Sequence, residues 1–551
     1  MRQTAVVSRN TDDPVRPNRM MLAQMKLFEP HFLRALVREL RGSLRALLAD
    51  LCTDLETHYP VAVAALRVPV GYFRFVNASL RREDFSHGRV VGWIEALNDL
   101  VYFVDVLEQL RREQDRTSFA EQLFVACREQ FYEHGYVDDL FPRGEPQPAG
   151  LSSRVARVCA RLVQEATQES LFLVPGLPCA WLRRTGRTSW AVLCDLGQNF
   201  ERAELPGCVS VGLDGAYIAP PSDVRRRLAR RGFAGTFLIR PDRIELRMGR
   251  TRTTVMTGGT SPRWAWRYVP PFVLRPRSAM WPVGLTLGPT LVYSRRDRAP
   301  VRVVLSERRL ARRIDRALRV IEAAWPAGAS NLACLTARIV PLRAPGVVSY
   351  SYRHRPGVSF LNLFERNRLD LVDDLIHENS HHHMNLLLRK YVMRRGDQNQ
   401  EIFYSPWRRS LRPLHGILHA TFTFTMGARL FERLASFGAR GQGRGATGMK
   451  GRRLTEAEVL RARYRCLEEV ESVTYSIEDL LGIARGRGWL TQAGVALVQA
   501  LQRELARVRR RIAPHRPAVM RSRFGNALAR HVAALAAMRQ LYRRPGSTAS
   551  G

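Results

Sequence analysis

Apolar positions from residue 22 to about residue 168 recur at three- and four-residue intervals, the spacing of one buried helix face. The run Phe32-Leu33, Leu36-Val37, Leu40, Leu44, Leu47-Leu48, Leu51 shows it best, and residues 90–110 and 119–131 repeat it. The segment Phe141-Pro142-Arg143-Gly144-Glu145-Pro146-Gln147-Pro148 breaks the pattern and reads as a loop or linker. Between about residues 171 and 304 the texture changes. Short β-prone runs such as Trp190-Ala191-Val192-Leu193, Gly235-Thr236-Phe237-Leu238-Ile239 and Thr290-Leu291-Val292-Tyr293 alternate with Gly, Pro and Asp. A helix over 307–324 and strands over 347–352 and 357–362 follow.

The last third is helical again, over 369–394, 414–435, 455–483, 491–512 and 526–542. Thr455 and Glu458 stand at capping-box spacing, which marks a helix start. The fold class expected is therefore α+β, with a helical N-terminal region (1–168), a β-rich middle (169–305) and a mainly helical C-terminal domain (306–545). That last domain carries the candidate chemistry and a Gly/Arg-rich loop at 438–453. No internal repeat is visible.

Composition narrows the class. A hydrophobic share of 45% over 551 residues supports a sizeable core. No run approaches the roughly 18 apolar residues of a membrane span, and residues 1–18 are polar, without the apolar stretch of a signal peptide. Eight cysteines lie scattered without a C-x-x-C pair, the usage of a reducing compartment. A cytoplasmic protein without membrane segments is the expectation. The net charge of +37 invites a nucleic-acid partner, but of 87 basic residues only Lys26, Lys390 and Lys450 are lysines. Arginine is spread along the chain rather than gathered in one run, with no zinc-finger or RNP-type motif, which argues against nucleic acid. An acidic peptide matches such a surface equally well.

The chemistry concentrates in histidine. Residues 377, 381, 382, 383, 415 and 419 hold six of the thirteen histidines. In His377-Glu378-Asn379-Ser380-His381 the two outer imidazoles stand one helical turn apart, so both can reach one ion. Asp373 and Asp374, a turn earlier, are candidate acceptors for ligand N–H groups. A third ligand comes from the helix opened by Arg412-Pro413: His419 first, with His415 in reserve. Imidazole ligands do not by themselves choose between iron and zinc. The bland alternative is a solvated His381-His382-His383 patch.

The same block, continued by Phe403-Tyr404-Ser405-Pro406-Trp407-Arg408-Arg409-Ser410-Leu411-Arg412-Pro413, resembles the HExxH-type peptide β-hydroxylases over about residues 355–435. That bacterial family is associated with ribosomally made, modified peptides, and shares H-E-x-x-H followed by an aromatic-x-Pro-Trp-Arg-x-x-x-Arg-Pro segment. The resemblance implies an Fe(II)- and 2-oxoglutarate-dependent oxygenase that hydroxylates a side chain of a precursor peptide, with His377 and His381 as iron ligands. Under it, Arg412, then Arg408, would hold the 2-oxo acid, Tyr404 or Ser405 would add a hydrogen bond, and Glu378 would orient a ligand or the bound water. One departure is Phe424, where many relatives carry a histidine, and this leaves the third ligand open. Two other readings compete. One is a zinc metallopeptidase with Glu378 as general base. The other is a non-catalytic basic protein that binds peptide or nucleic acid.

Overall fold

The computed structural model describes residues 28–112, 115–131, 134–195, 208–228, 234–258, 262–274, 285–287, 308–343, 345–353, 355–440 and 454–542. The chain opens with helices α1 (Pro30–His58), α2 (Pro60–Leu66), α3 (Val70–Ser79), α4 (Gly88–Arg112), α5 (Arg116–Gln130), α6 (Tyr136–Leu140), α7 (Leu151–Leu173) and α8 (Leu177–Thr185). Strands follow: β1 (Trp190–Asp195), β2 (Val209–Val211) and β3 (Ala216–Ala219), then, after α9 (Ser222–Leu228), β4 (Ala234–Ile239), β5 (Arg243–Met248) and β6 (Thr251–Thr257). The short strands β7 (Arg263–Trp264), β8 (Arg267–Val269), β9 (Phe272–Leu274) and β10 (Leu285–Leu287) complete the middle.

The C-terminal part begins with α10 (Arg308–Ala324) and α11 (Pro326–Leu335), then β11 (Arg338–Leu342), β12 (Tyr350–Ser351) and β13 (Val358–Asn362). Helix α12 (Arg368–Lys390) leads to the hairpin β14 (Phe403–Ser405) and β15 (Ser410–Arg412), and then to α13 (Leu414–Arg440). Helices α14 (Glu456–Asp479), α15 (Gln492–Ile512), α16 (Arg516–Met520) and α17 (Gly525–Tyr542) close the fold. Helices at both ends flank a β-rich middle, the α+β class that the patterning predicts. No single helix among the described residues is long and apolar enough to cross a membrane.

Among the described residues, besides the antiparallel β14–β15 hairpin, two sheets are wholly antiparallel, in the orders β1-β4-β5-β6-β7 and β2-β3-β8. The third runs β12-β13-β11-β10-β9, with β10, β11 and β13 parallel and an antiparallel strand at each edge. Burial divides the chain differently from its texture. One apolar cluster joins the N-terminal helices to the first two sheets, from Leu44 to Trp266. A second starts on α1 with Leu33 and Leu36, takes in Leu274 of β9 and runs to Leu528. Among the described residues the β-rich middle therefore has no apolar cluster of its own, and α1 contributes to both clusters.

Several expected boundaries move. The helical region runs on through α8 to Thr185, past the expected change of texture near residue 171. Leu171-Phe172-Leu173-Val174 is apolar on every side, so no single stripe marks it as helix. Of the strand expected over 347–352, only Tyr350–Ser351 pair. Gly438 belongs to α13 rather than to a loop. The expected strand at Thr290–Tyr293 and the loop residues 441–453 lie outside the described residues. The capping box at Thr455 is present, with its hydroxyl accepting from the Glu458 N–H.

The two halves meet at close quarters. A Cβ added to Gly88, the first residue of α4, would lie 2.5 Å from the Pro356 carbonyl oxygen. Only glycine lets α4 approach the backbone that leads into β13. Gly88→Ala should therefore destabilise the protein by about 1–3 kcal/mol through overpacking. Denaturant unfolding would show this as a lowered midpoint at unchanged slope, and an unchanged midpoint would contradict the close approach.

Candidate metal centre

Helix α12 starts where Asn367 and Asp370 cap it reciprocally, the Asn367 side chain accepting from the Asp370 N–H and the Asp370 carboxylate from the Asn367 N–H. Leu369, Val372, Leu375, Ile376 and Leu387 bury its core faces. His377 and His381, one turn apart, stay partly exposed on another face. Chain reversal through the β14–β15 hairpin brings α13 back against α12, and with it His419.

The three imidazoles touch. Nε2 of His381 is 3.2 Å from Nε2 of His377, and Nδ1 of His381 is 2.9 Å from Nδ1 of His419. The ring centroids stand 4.8 and 4.7 Å apart. His381 thus faces its two neighbours through different nitrogens, whereas one ring gives one ion a single nitrogen. A donor set of three that closes on one point among the described residues is His377, Glu378 and His381, whose ligand atoms all lie within 4.8 Å of one another. Gathering all three histidines on one ion requires the His381 ring to turn. The third-ligand place is contested between His419 and Glu378.

Electrostatics favour neutral donors. Burial, then the charges of Arg465 and Arg408, pulls the His377 imidazole down to about 4. Burial, then His377 and Arg353, does the same to His419, also to about 4. His381 falls well below its ordinary value through burial, then the neighbouring histidines and Arg408. All three rings are lone-pair donors at neutral pH, the form a metal requires. Burial pushes the Glu378 carboxyl up to about 8, opposed by the Ser351 hydroxyl and reinforced by Asp374 and Asp373. Its Oε2 is buried and makes no hydrogen bond among the described residues. Three neutral imidazoles joined through His381, beside an orphaned carboxyl oxygen, suit a divalent cation.

The surroundings fix two tautomers. The Gly357 N–H donates to Nδ1 of His382 at 3.3 Å, so the proton sits on Nε2, 3.1 Å from the Ser359 hydroxyl. His382 is in this way spent on structure. Asn385 Oδ1 lies 3.2 Å from Nε2 of His419, which places the proton there and leaves Nδ1 as the lone-pair nitrogen. Asn385 stands one turn beyond His381 on α12, a spacing legible in the sequence but not exploited. His383 is buried with its ring edge-on to Phe422, 5.0 Å away, so the triple histidine is not a solvated patch.

The other expected residues divide. His415 does not join the three rings; its Nδ1 is 2.9 Å from Asn399 Oδ1, and Asn399 also donates to the Arg128 carbonyl of the N-terminal half. Arg408 sends its charge to His377 and His381, whereas that of Arg412 acts on His415 and its guanidinium lies over Gly416. Of the two arginines, Arg408 is the one whose charge reaches His377 and His381. Ser405 is buried and accepts from the Arg408 N–H. Tyr404 points to the opposite face of its strand, against Tyr475 and Tyr542, away from the histidines. Asp373 and Asp374 bind no ligand histidine: Asp373 pairs with Arg465 at 3.5 Å, and Asp374 with Arg366 at 3.2 Å and the Ser349 hydroxyl at 2.9 Å.

Neither a known protein-family model nor a curated protein matches this chain.

Proposed function

We propose that the chain is an Fe(II)- and 2-oxoglutarate-dependent oxygenase that hydroxylates a side chain, at its β-carbon, in a ribosomally made peptide. The observation that carries this reading is the meeting of His377, His381 and His419 as neutral donors, two of which feel the charge of Arg408, an exposed arginine with no carboxylate partner among the described residues. Iron held there would supply oxygen activation coupled to decarboxylation of the 2-oxo acid to succinate. His377 and His381 would hold the ion, with His419 or Glu378 beside them. Asn385 keeps the His419 proton on the far nitrogen. Arg408 presents a guanidinium fork to the distal carboxylate of the 2-oxo acid, a bidentate match. The arginine-rich surface suits an acidic segment of the peptide.

A zinc metallopeptidase would use the same histidines and require Glu378 as an ionised base. The burial of Glu378, which favours its protonated form, counts against that reading in the metal-free protein. Anaerobic addition of Fe(II) and 2-oxoglutarate should give a weak visible charge-transfer band, and succinate should form once oxygen is admitted. Arg408→Ala should raise the 2-oxoglutarate requirement about tenfold or more, the loss of one charge-assisted pair, while sparing metal content. Zinc-dependent peptide cleavage that disappears in Glu378→Gln would replace the oxygenase with the peptidase.

A further inference from the structure

We infer that Glu469 is a positioning residue for the metal-binding histidines, acting on His377 through Trp407 and Phe424. The inference rests on the metal reading above and adds to it a part that no sequence motif marks. His419 is oriented by Asn385 and His382 by Gly357 and Ser359, each through a hydrogen bond. His377 has no such acceptor: among the described residues its one hydrogen-bonding neighbour is His381. A metal-binding imidazole whose second nitrogen has no fixed acceptor must be held by packing instead.

That packing is a stack clamped at its far end. The Phe424 ring lies edge-on to His377, with centroids 4.9 Å apart at 62°. The Trp407 indole lies flat against Phe424, 4.1 Å away and tilted by 6°. Trp407 sits in the turn of the β14–β15 hairpin, between paired strands and two residues before Arg409, which adopts φ 54°. A side chain in a turn swings unless something holds it. The indole N–H donates to Oε2 of Glu469 at 2.8 Å, and Glu469 is 2% exposed.

The carboxylate is itself fixed. Its Oε1 accepts from Arg465 at 2.9 Å, and Arg465 also meets Glu468 at 2.7 Å and Asp373 at 3.5 Å. Asp373 stands one turn before His377 on α12. The contacts therefore close a ring from α12 through α14 and the hairpin back to the metal face of α12. Its last member is a ligand that, like His381, has no hydrogen-bonded orienter outside the histidine cluster among the described residues.

The test reads His377 directly in metal-free, ¹³C-histidine-labelled protein, with its resonances assigned by His377→Gln, and then reads Co(II) affinity. Glu469→Leu should move the His377 ring resonances and weaken Co(II) binding by about 10–100-fold, the range for losing an outer partner of a metal ligand. Glu469→Gln keeps an acceptor oxygen and should restore both. Trp407→Phe keeps the stack but loses the N–H. It should reproduce the Glu469→Leu change, and the double variant should add nothing further. This variant also carries the test if Glu469→Leu does not fold. Wild-type His377 resonances in either variant, whatever happens to thermal stability, would overturn the inference. Absence of Co(II) binding by the unsubstituted protein would sink the metal reading instead, and the resonances would still decide the positioning.

Discussion

His381→Ala should yield a folded chain that retains no stoichiometric metal ion and shows no turnover. The expected loss of affinity exceeds the roughly 10–100-fold that removal of an outer partner costs. His381 is the most exposed to such a test because it alone touches both other rings, at 3.2 and 2.9 Å. Removing it separates His377 from His419 and breaks up the His377–Glu378–His381 donor set at once. His377→Ala should behave in the same way. Elemental analysis of the purified variants, with calorimetric Co(II) titration, measures the effect. Wild-type metal content in His381→Ala would end the proposal. The same assay settles the contested place: if His419 is the third ligand, His419→Ala loses the ion and Glu378→Gln keeps it, and the reverse assigns the place to Glu378.

The fold was legible in the sequence where periodicity is one-sided, and obscure where it is not. Helices α12 to α15 follow from stripes at three- and four-residue spacing and, for α14, from the Thr455 cap. The end of α7 was hidden because its residues are apolar on every side, and α8 because it is nine residues long with Gly176 and Gly186 at its ends and Pro178 inside. Among the site residues, His377 and His381 were legible because one helical turn fixes their relation. The place of His419 depends on how α13 returns, and the short hairpin brings it back against α12. Tyr404 and Ser405 adjoin in sequence but point to opposite faces, the ordinary consequence of strand alternation, and the motif reading overlooked it. Glu469 lies 62 residues from Trp407 with nothing local to announce it. Long-range partners of this kind are set by how helices pack, and a single sequence carries no signal for them.

The same blindness hid what joins the two halves of the chain, where the second large effect is expected. Glu169→Gln should lower stability at neutral pH by on the order of 3 kcal/mol, within the usual range for breaking a buried ion pair. Glu169 lies at the end of α7, and its Oε1 receives Arg89 of α4 at 2.7 Å and Arg355 of the C-terminal half at 3.2 Å. All three side chains are buried, and the neighbouring His87 is kept neutral, its pKa pulled down to about 3 by burial and then by Arg338, Arg89 and Arg355. Gln removes the negative charge that both guanidinium groups meet at that oxygen. The arginines hold the Glu169 carboxyl down to about 2 against its burial, compared with 4.5 unperturbed. Because the folded-state value is depressed, the contribution is present in full above about pH 4.5 and disappears as pH falls through about 2. Denaturant midpoints of both proteins should therefore differ most at neutral pH and converge towards pH 2. The difference is read between the two proteins, because other groups set the absolute acid limb. Since Arg355 stands two residues before Gly357, whose N–H fixes His382 beside the metal face, the variant also tests whether the N-terminal helices support the site. Equal midpoints at pH 7, or a gap that widens on acidification, would show that this ion pair does not help to hold the halves together.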